Sequence, residues 1–277
     1  MNIAETIAAC RAARAKFGVL GLVPTMGFLH EGHLSLIRRA KAECGAVAVS
    51  LFVNPTQFAP HEDFARYPRA LGRDLEMIEA AGGDLVFTPS AAEIYPPDFD
   101  TRIEVGAVSR RLEGAVRPVH FAGVATVVTK LFNILQPTKA YFGQKDAQQC
   151  VVIKALVRDL NLPLEVVISP TVREPDGLAM SSRNSYLNPE QRAAAPALYA
   201  ALQDVAARYG AGERNAEGLR KALRDRLAVI PDTKIDYVSV ADPDTLEELD
   251  QLTRGALVSL AVRFGATRLL DNVVLEG

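Results

Sequence analysis

An α/β fold is what this sequence predicts: a Rossmann-like doubly wound parallel sheet domain followed by a smaller α+β C-terminal lid domain. Three observations carry that expectation. From residue 19 to residue 169, short apolar runs alternate with amphipathic stretches, the pattern of parallel strands joined by crossover helices. The polar signals that look chemical fall directly after apolar runs, where open α/β sheets bind ligands. Past residue 169 the pattern changes to a Gly- and Pro-punctuated segment, two helical stretches and further strand candidates. At 277 residues and about 150 per domain, the chain is expected to divide into residues 1–171 and 172–277.

The apolar runs at residues 19–23, 46–53, 84–88, 140–142 and 164–169 are short, partly β-branched or aromatic, and bounded by Gly, Pro or Asn, as buried parallel strands are. Helical patterns lie between them at residues 34–44, 64–81, 124–135 and 147–160. In the first, Leu34, Ile37, Ala40 and Lys41 recur at three- and four-residue spacing, which turns Arg38 and Arg39 outward. The second part predicts helices over residues 189–209 and 216–228, separated by a loop at 210–215. Strands are predicted at 235–241, 256–264 and 269–274.

Composition narrows the function classes. Hydrophobic residues make up 49% and charged residues 23% of the chain, ordinary for a globular protein with a sizeable core. A formal net charge of −2 supplies no basic field for nucleic acid. Cys10, Cys44 and Cys150 are odd in number and widely spaced, which suits neither a disulfide framework nor a metal knuckle and fits a reducing cytoplasm. The first residues lack a basic, then apolar, leader pattern, and no uninterrupted apolar run approaches the ~18 residues of a membrane span. The expectation is a cytoplasmic protein with no membrane contact.

The most informative stretch is Pro24-Thr25-Met26-Gly27-Phe28-Leu29-His30-Glu31-Gly32-His33, where a strand hands over to a helix. A helix start offers unbonded N–H groups and the positive end of the dipole, which suits phosphate. Two imidazoles three residues apart add donors that can follow charge developing on a transferring phosphoryl group. A zinc motif would need HExxH spacing, whereas this chain has HExH. No Gly-Lys dipeptide occurs, so a P-loop is excluded, and there is no GxSxG nucleophile elbow.

Further candidates follow other strands. In Asn54-Pro55-Thr56-Gln57-Phe58, Gln57 projects an amide that donates and accepts, or simply closes a turn. In Tyr141-Phe142-Gly143-Gln144-Lys145-Asp146, Gly143 permits close backbone approach and Lys145 offers a phosphate counter-charge. Asp146 and Gln149 stand at capping-box spacing, so a purely structural role is open for both. Met180-Ser181-Ser182-Arg183-Asn184 sets two hydroxyls beside a guanidinium, a phosphate clamp or a solvated loop. Arg117-Pro118-Val119-His120-Phe121-Ala122-Gly123 is another candidate phosphate or acid site. Arg173, Arg183 and Lys145 are the cations expected near an anionic substrate.

In this order, the blocks at residues 24–33, 52–58, 67–69, 117–130, 142–149 and 172–184 resemble the pantothenate synthetase (pantoate–β-alanine ligase) family of the HxGH nucleotidyltransferase superfamily. The resemblance implies ATP-dependent condensation of (R)-pantoate with β-alanine through a pantoyl adenylate, releasing AMP and pyrophosphate. It implies ATP contacts from Met26, Gly27, Phe28, Leu29, His30, Glu31, Gly32 and His33, with His33 the catalytic proton donor and His30 and Lys145 assisting. It extends the ATP site to Gly143, Gln144, Lys145, Asp146, Val172, Met180, Ser181, Ser182 and Arg183. Pantoate would be held by Gln57 and Gln149, and β-alanine by Gln57. Mg²⁺ would accompany the triphosphate with no protein ligand assigned, although Asp74 matches an acidic position near it. A homodimer is implied as well. Val119, Ala122 and Arg73 depart from the family pattern. The rival reading is another HxGH-type nucleotidyltransferase acting on a phosphorylated small molecule, which would lack the paired glutamines.

Overall fold

In the computed structural model, which describes residues 1–60 and 62–277, the chain forms two compact units. The first is Met1–Gly143 with Val152–Ser169; the second is Gln144–Val151 with Pro170–Gly277. The sequence expectation put the division at 171/172. The second unit also claims residues 144–151, because Gln144 and Lys145 hydrogen-bond to Asn272.

The elements around the first sheet are β1 (Asn2–Ala4), α1 (Ile7–Arg14), β2 (Gly21–Thr25), α2 (Glu31–Cys44), β3 (Val47–Leu51), α3 (Leu71–Ala80), β4 (Leu85–Phe87), α4 (Ala91–Ile94), α5 (Glu113–Val116), α6 (His120–Leu135), β5 (Lys139–Gly143), α7 (Ala147–Asp159) and β6 (Glu165–Ser169). Among the described residues the six strands form one sheet in the order β1-β4-β3-β2-β5-β6, parallel throughout. The direction of winding reverses between β2 and β5, which pair at Gly21↔Lys139 and Leu22↔Ala140. A doubly wound sheet binds ligands beyond the carboxyl ends of its strands at such a reversal. The doubly wound fold expected from alternation is the one observed.

Burial explains why these segments pair. Leu22, Val23, Val47, Ala48, Val49, Leu85 and Val86 are fully buried, as strands covered on both faces must be. The α2 stripe packs Leu36, Ile37 and Ala40 into a core with Val23, Val49, Ile78, Val86 and Tyr141, and the helix stops at Gly45, whose φ is +76°. Helix α6 is apolar nearly all round and buried along most of its length.

Two expectations for this unit need correction, and one pair of elements was not foreseen. The helix expected over residues 64–81 begins only at Leu71, after a 3₁₀ turn at Asp63–Ala65; Pro68 lacks an N–H and disfavours helical backbone before it. The pair β1–α1 carries too short an apolar run to announce itself, yet Thr6 caps α1 by accepting the Ala9 N–H. Arg39 does not simply face outward: its guanidinium reaches Ile168 O at 3.0 Å and Ser169 Oγ at 3.1 Å.

The second unit contains α8 (Pro189–Ala194), α9 (Ala197–Gly210), α10 (Ala216–Ala228), β7 (Thr233–Ala241), β8 (Ala256–Phe264) and β9 (Thr267–Leu275). The strands form an antiparallel sheet, β7-β8-β9. Leu198, Leu202 and Val205 from α9 and Leu219, Leu223 and Leu227 from α10 share a core with Val258, Leu260, Val262 and Phe264 of β8. The single helix expected over residues 189–209 is broken before Ala197, where Pro196 removes a helical hydrogen bond and its ring crowds the preceding turn. Among the described residues, no helix is long and apolar enough to cross a membrane.

Candidate active site

In the first unit the site begins where β2 ends. Gly27 and Phe28 both have positive φ, +79° and +50°. A non-glycine residue in this region is strained by about 1–3 kcal/mol and needs support. Asp74 on α3 supplies it: one carboxylate oxygen accepts the Phe28 N–H at 2.7 Å and the other the Leu29 N–H at 2.8 Å. Asp74 is 2% exposed, so these charge-assisted bonds are shielded from water. Its neighbour Arg73 donates to Leu29 O at 3.1 Å and stacks over the Phe28 ring at 5.4 Å.

The loop delivers two histidines to the start of α2. His30 is the N-cap and His33 stands at the third helical position. The His30 backbone N–H donates to His33 Nδ1 at 3.3 Å. A backbone N–H can only donate, so Nδ1 is the acceptor and the proton of a neutral His33 sits on Nε2. The two imidazole centroids are 4.1 Å apart. Helix start, dipole and ring donors thus converge on one place.

Gln57 closes a 3₁₀ turn, Pro55–Gln57, that follows β3, and Asn54 caps it by accepting the Thr56 N–H. Asn54 Nδ2 donates to Gln57 Oε1 at 3.1 Å, which orients the Gln57 amide so that its NH₂ faces Met26 Sδ at 3.0 Å. The carbonyl of Gln57 is held from behind by His120 Nδ1 at 3.0 Å and by Arg117 at 3.4 Å. Gly123 of α6 lies flush against this turn. A Cβ there would meet Thr56 O at 2.5 Å and Gln57 Cα at 2.7 Å, and its carbonyl accepts from Asn54.

Electrostatics set the state of these supports. Burial drives the His120 imidazole down to about 4, and the Arg117 charge acts in the same direction, so the ring is neutral near pH 7 and donates from Nδ1. Burial raises the Glu62 carboxyl, but the Arg117 guanidinium at 2.6 Å outweighs it and holds it below the ordinary range.

In the second unit, Lys145 lies in a 3₁₀ turn, Gln144–Asp146, that runs into α7, with its ammonium 3.5 Å from Asp146 Oδ1. Val172 and Met180 face each other across a hairpin closed by Met180 N–H to Val172 O at 3.0 Å. Ser181 caps the following 3₁₀ turn, Ser182–Tyr186, by accepting the Arg183 N–H. Lys145, Ser181, Arg183 and Arg268 line one recess within this unit. Gln57 and Gln149 belong to different units.

Several sequence expectations change. The Leu29 side chain is 1% exposed in the core, its N–H is taken by Asp74 and its carbonyl by Arg73, so it supports the loop rather than facing a ligand. Glu31 turns to Arg38 across the outer face of α2. Arg117 is paired with Glu62 and mostly buried, which removes it as a phosphate cation. Arg173 is likewise paired bidentately with Asp271 and lies 3.5 Å over the Tyr199 ring. Sequence reasoning named Asn54 and Gly123 within its motifs without their supporting role, and missed Asn272. A glycine inside an apolar helix and a polar pair inside a strand pattern were the available signals.

Comparison with known proteins shows the family. Residues 1–274 match the family model described as pantoate-beta-alanine ligase. The chain is 64% identical to a pantothenate synthetase of Chloroflexus aurantiacus, covering 100% of this chain and 99% of the relative. The crystal structure of pantothenate synthetase from Thermus thermophilus superposes with a TM-score of 0.95 at 48% identity, over 99% of both chains. A pantoate-beta-alanine ligase from Francisella tularensis, solved with beta-gamma ATP and beta-alanine, superposes with a TM-score of 0.81 at 35% identity, over 99% of this chain and 97% of that one. The chain belongs to the pantoate–β-alanine ligase family.

Proposed function

We propose that this protein joins (R)-pantoate to β-alanine at the expense of ATP, forming pantothenate, AMP and pyrophosphate through a pantoyl adenylate. The observation that carries the reading is the Gln57 amide held 3.0 Å from Met26, beside the loop that presents His30 and His33; we assign that amide to the small acid.

In the first step a pantoate carboxylate oxygen attacks the α-phosphorus of ATP, and the bond to the bridging oxygen breaks with pyrophosphate leaving on that electron pair. Chemistry of this kind asks for positioning and for charge stabilisation. His33 Nε2–H, the α2 N-terminus, His30 and the Lys145 ammonium are the groups we assign to the developing charge. Gln57 and Gln149 would hold pantoate by hydroxyl and carboxylate. In the second step the β-alanine amine, beside Gln57, attacks the acyl carbon; the carbon–oxygen bond to AMP breaks and the amine loses a proton. Met26, Gly27, Phe28, Gly32, Gly143, Gln144, Asp146, Val172, Met180, Ser181, Ser182 and Arg183 are assigned to ATP, with the C-terminal unit acting as a lid.

Mg²⁺ would enter with the triphosphate as part of the substrate. Both Asp74 oxygens already accept backbone N–H groups, and among the described residues no three His, Cys, Asp or Glu side chains come together to hold a metal ion. No step is therefore assigned to a protein-held metal. Cytoplasmic residence is supported by Cys10, Cys44 and Cys150 all being free thiols, and a homodimer by the family resemblance.

The test is pantoate-dependent exchange of labelled pyrophosphate into ATP without β-alanine. Exchange with pantoate is expected. Exchange supported by another acid and not by pantoate would overturn the substrate assignment.

A further inference from the structure

We infer that Asn272, on the last strand, is a positioning residue for Lys145. The inference rests on the reading that Lys145 acts on the ATP phosphates.

Asn272 lies within β9, opposite Ser259 of β8, and is 4% exposed. A buried asparagine in a strand is unfavourable unless its amide is satisfied. Here the partners are all on the Lys145 turn. Nδ2 donates to Gln144 O at 3.0 Å and to Lys145 O at 2.9 Å, while Oδ1 accepts from Gln144 Nε2 at 3.1 Å. One planar amide therefore grips two consecutive peptides at the entry to α7. Carbonyls in a one-turn 3₁₀ segment lack a sheet ladder, and a buried carbonyl needs a donor. Asn272 provides two N–H groups in a fixed fork, which sets the height and rotation of the Lys145 backbone.

The preceding residue strengthens the argument. Asp271, 3% exposed, accepts Arg173 at 2.6 and 2.9 Å, and Arg173 also donates to Gly177 O at 3.1 Å. Successive side chains leave a strand on opposite faces, so one strand braces two segments. Asn272 holds the Lys145 turn and Asp271 holds the hairpin that carries Val172 and Met180. Asp271, Lys145, Ser181 and Arg183 line one recess.

The consequence is kinetic. A catalytic charge displaced by about 1 Å costs on the order of 10²-fold in rate. Asn272→Asp keeps the shape, removes both donors and sets a carboxylate against two carbonyls. Asn272→Ser keeps one donor. Pantoate-dependent ATP–pyrophosphate exchange is expected to fall in the order wild type, Asn272→Ser, Asn272→Asp, with the last down by roughly 10²-fold. The decisive comparison repeats the series in a Lys145→Ala background, where residues acting through Lys145 lose their separate effect and the series flattens. The same fold-losses persisting without Lys145 would overturn the inference, as would wild-type exchange by the folded variants. If Asn272→Asp fails to fold, Asn272→Ser decides on the same criterion. Wild-type protein without pantoate-dependent exchange would instead sink the functional reading, and the series is then judged by ATP affinity in calorimetry against the same Lys145→Ala background.

Discussion

The Asp74 carboxylate grips the peptide of Phe28 at 2.7 Å while Phe28 sits at a φ of +50°. A strained residue at the entrance to the histidine loop is thus held by a buried charge on a neighbouring helix. The support outweighs the strain, since two charge-assisted hydrogen bonds contribute about 1.5–3 kcal/mol each against about 1–3 kcal/mol for the backbone.

Asp74→Ala is therefore expected to destabilise the fold by about 2–6 kcal/mol, because it leaves two N–H groups without their acceptor at about 1–3 kcal/mol each, and to lower kcat/KM for ATP. Urea unfolding and steady-state kinetics check both. The dependence on Mg²⁺ at fixed MgATP should not change; a shifted dependence would reassign the carboxylate to the metal.

His33→Ala should depress turnover far more than ATP affinity, because its Nε2–H matters most once charge develops. A loss of roughly 10²- to 10³-fold in kcat is expected for one well-placed donor. Separate measurement of kcat and of the ATP dissociation constant decides. A change confined to binding would make His33 a positioning group only.

Gly123→Ala sets two effects against each other. Alanine favours a helix by about 0.5–1 kcal/mol, but its Cβ would lie 2.5 Å from Thr56 O and 2.7 Å from Gln57 Cα. These neighbours are backbone, so the clash wins, at about 1–3 kcal/mol. The turn carrying Gln57 must move, and we expect KM for pantoate to rise about tenfold or more, since that costs only ~1.4 kcal/mol of binding. Unchanged KM with lowered stability would separate Gly123 from the site.

His120 links the site to pH. Its imidazole titrates at about 4 in the folded protein, against 6.5 ordinarily. Between these values the unfolded chain binds more protons, so the contribution to stability is complete above pH 6.5 and is lost as pH falls toward 4. His120→Gln keeps a donor for the Gln57 carbonyl and cannot titrate. The stability difference between wild type and variant should shift against the wild type across that window in pH-resolved denaturation, and an invariant difference would show that His120 is not buried neutral.

The first unit was legible in the sequence because its information is local. A run such as residues 46–53 declares β3, and Leu34, Ile37 and Ala40 declare α2, since strand and helix periodicity is written in neighbouring residues. The histidine pair, the chemical residues after strands and the family resemblance are also contiguous motifs. Helix ends were less legible: Pro68 and Pro196 cut patterns whose hydrophobic spacing runs on across them.

The sequence by itself determined the fold class, the histidine-bearing strand-to-helix turn, and the family. Tertiary structure alone decided which charged and polar residues are taken up by distant partners and which hold their neighbours in place. Arg117 and Arg173 look like phosphate cations in sequence, yet each is neutralised by a partner 55 and 98 residues away. Asn272 carries no sequence motif and reaches Lys145 across 127 residues. The physical reason is range: backbone propensity and hydrophobic period act over a few residues, whereas charge pairing and the satisfaction of buried polar groups depend on whatever the finished fold brings within about 3 Å.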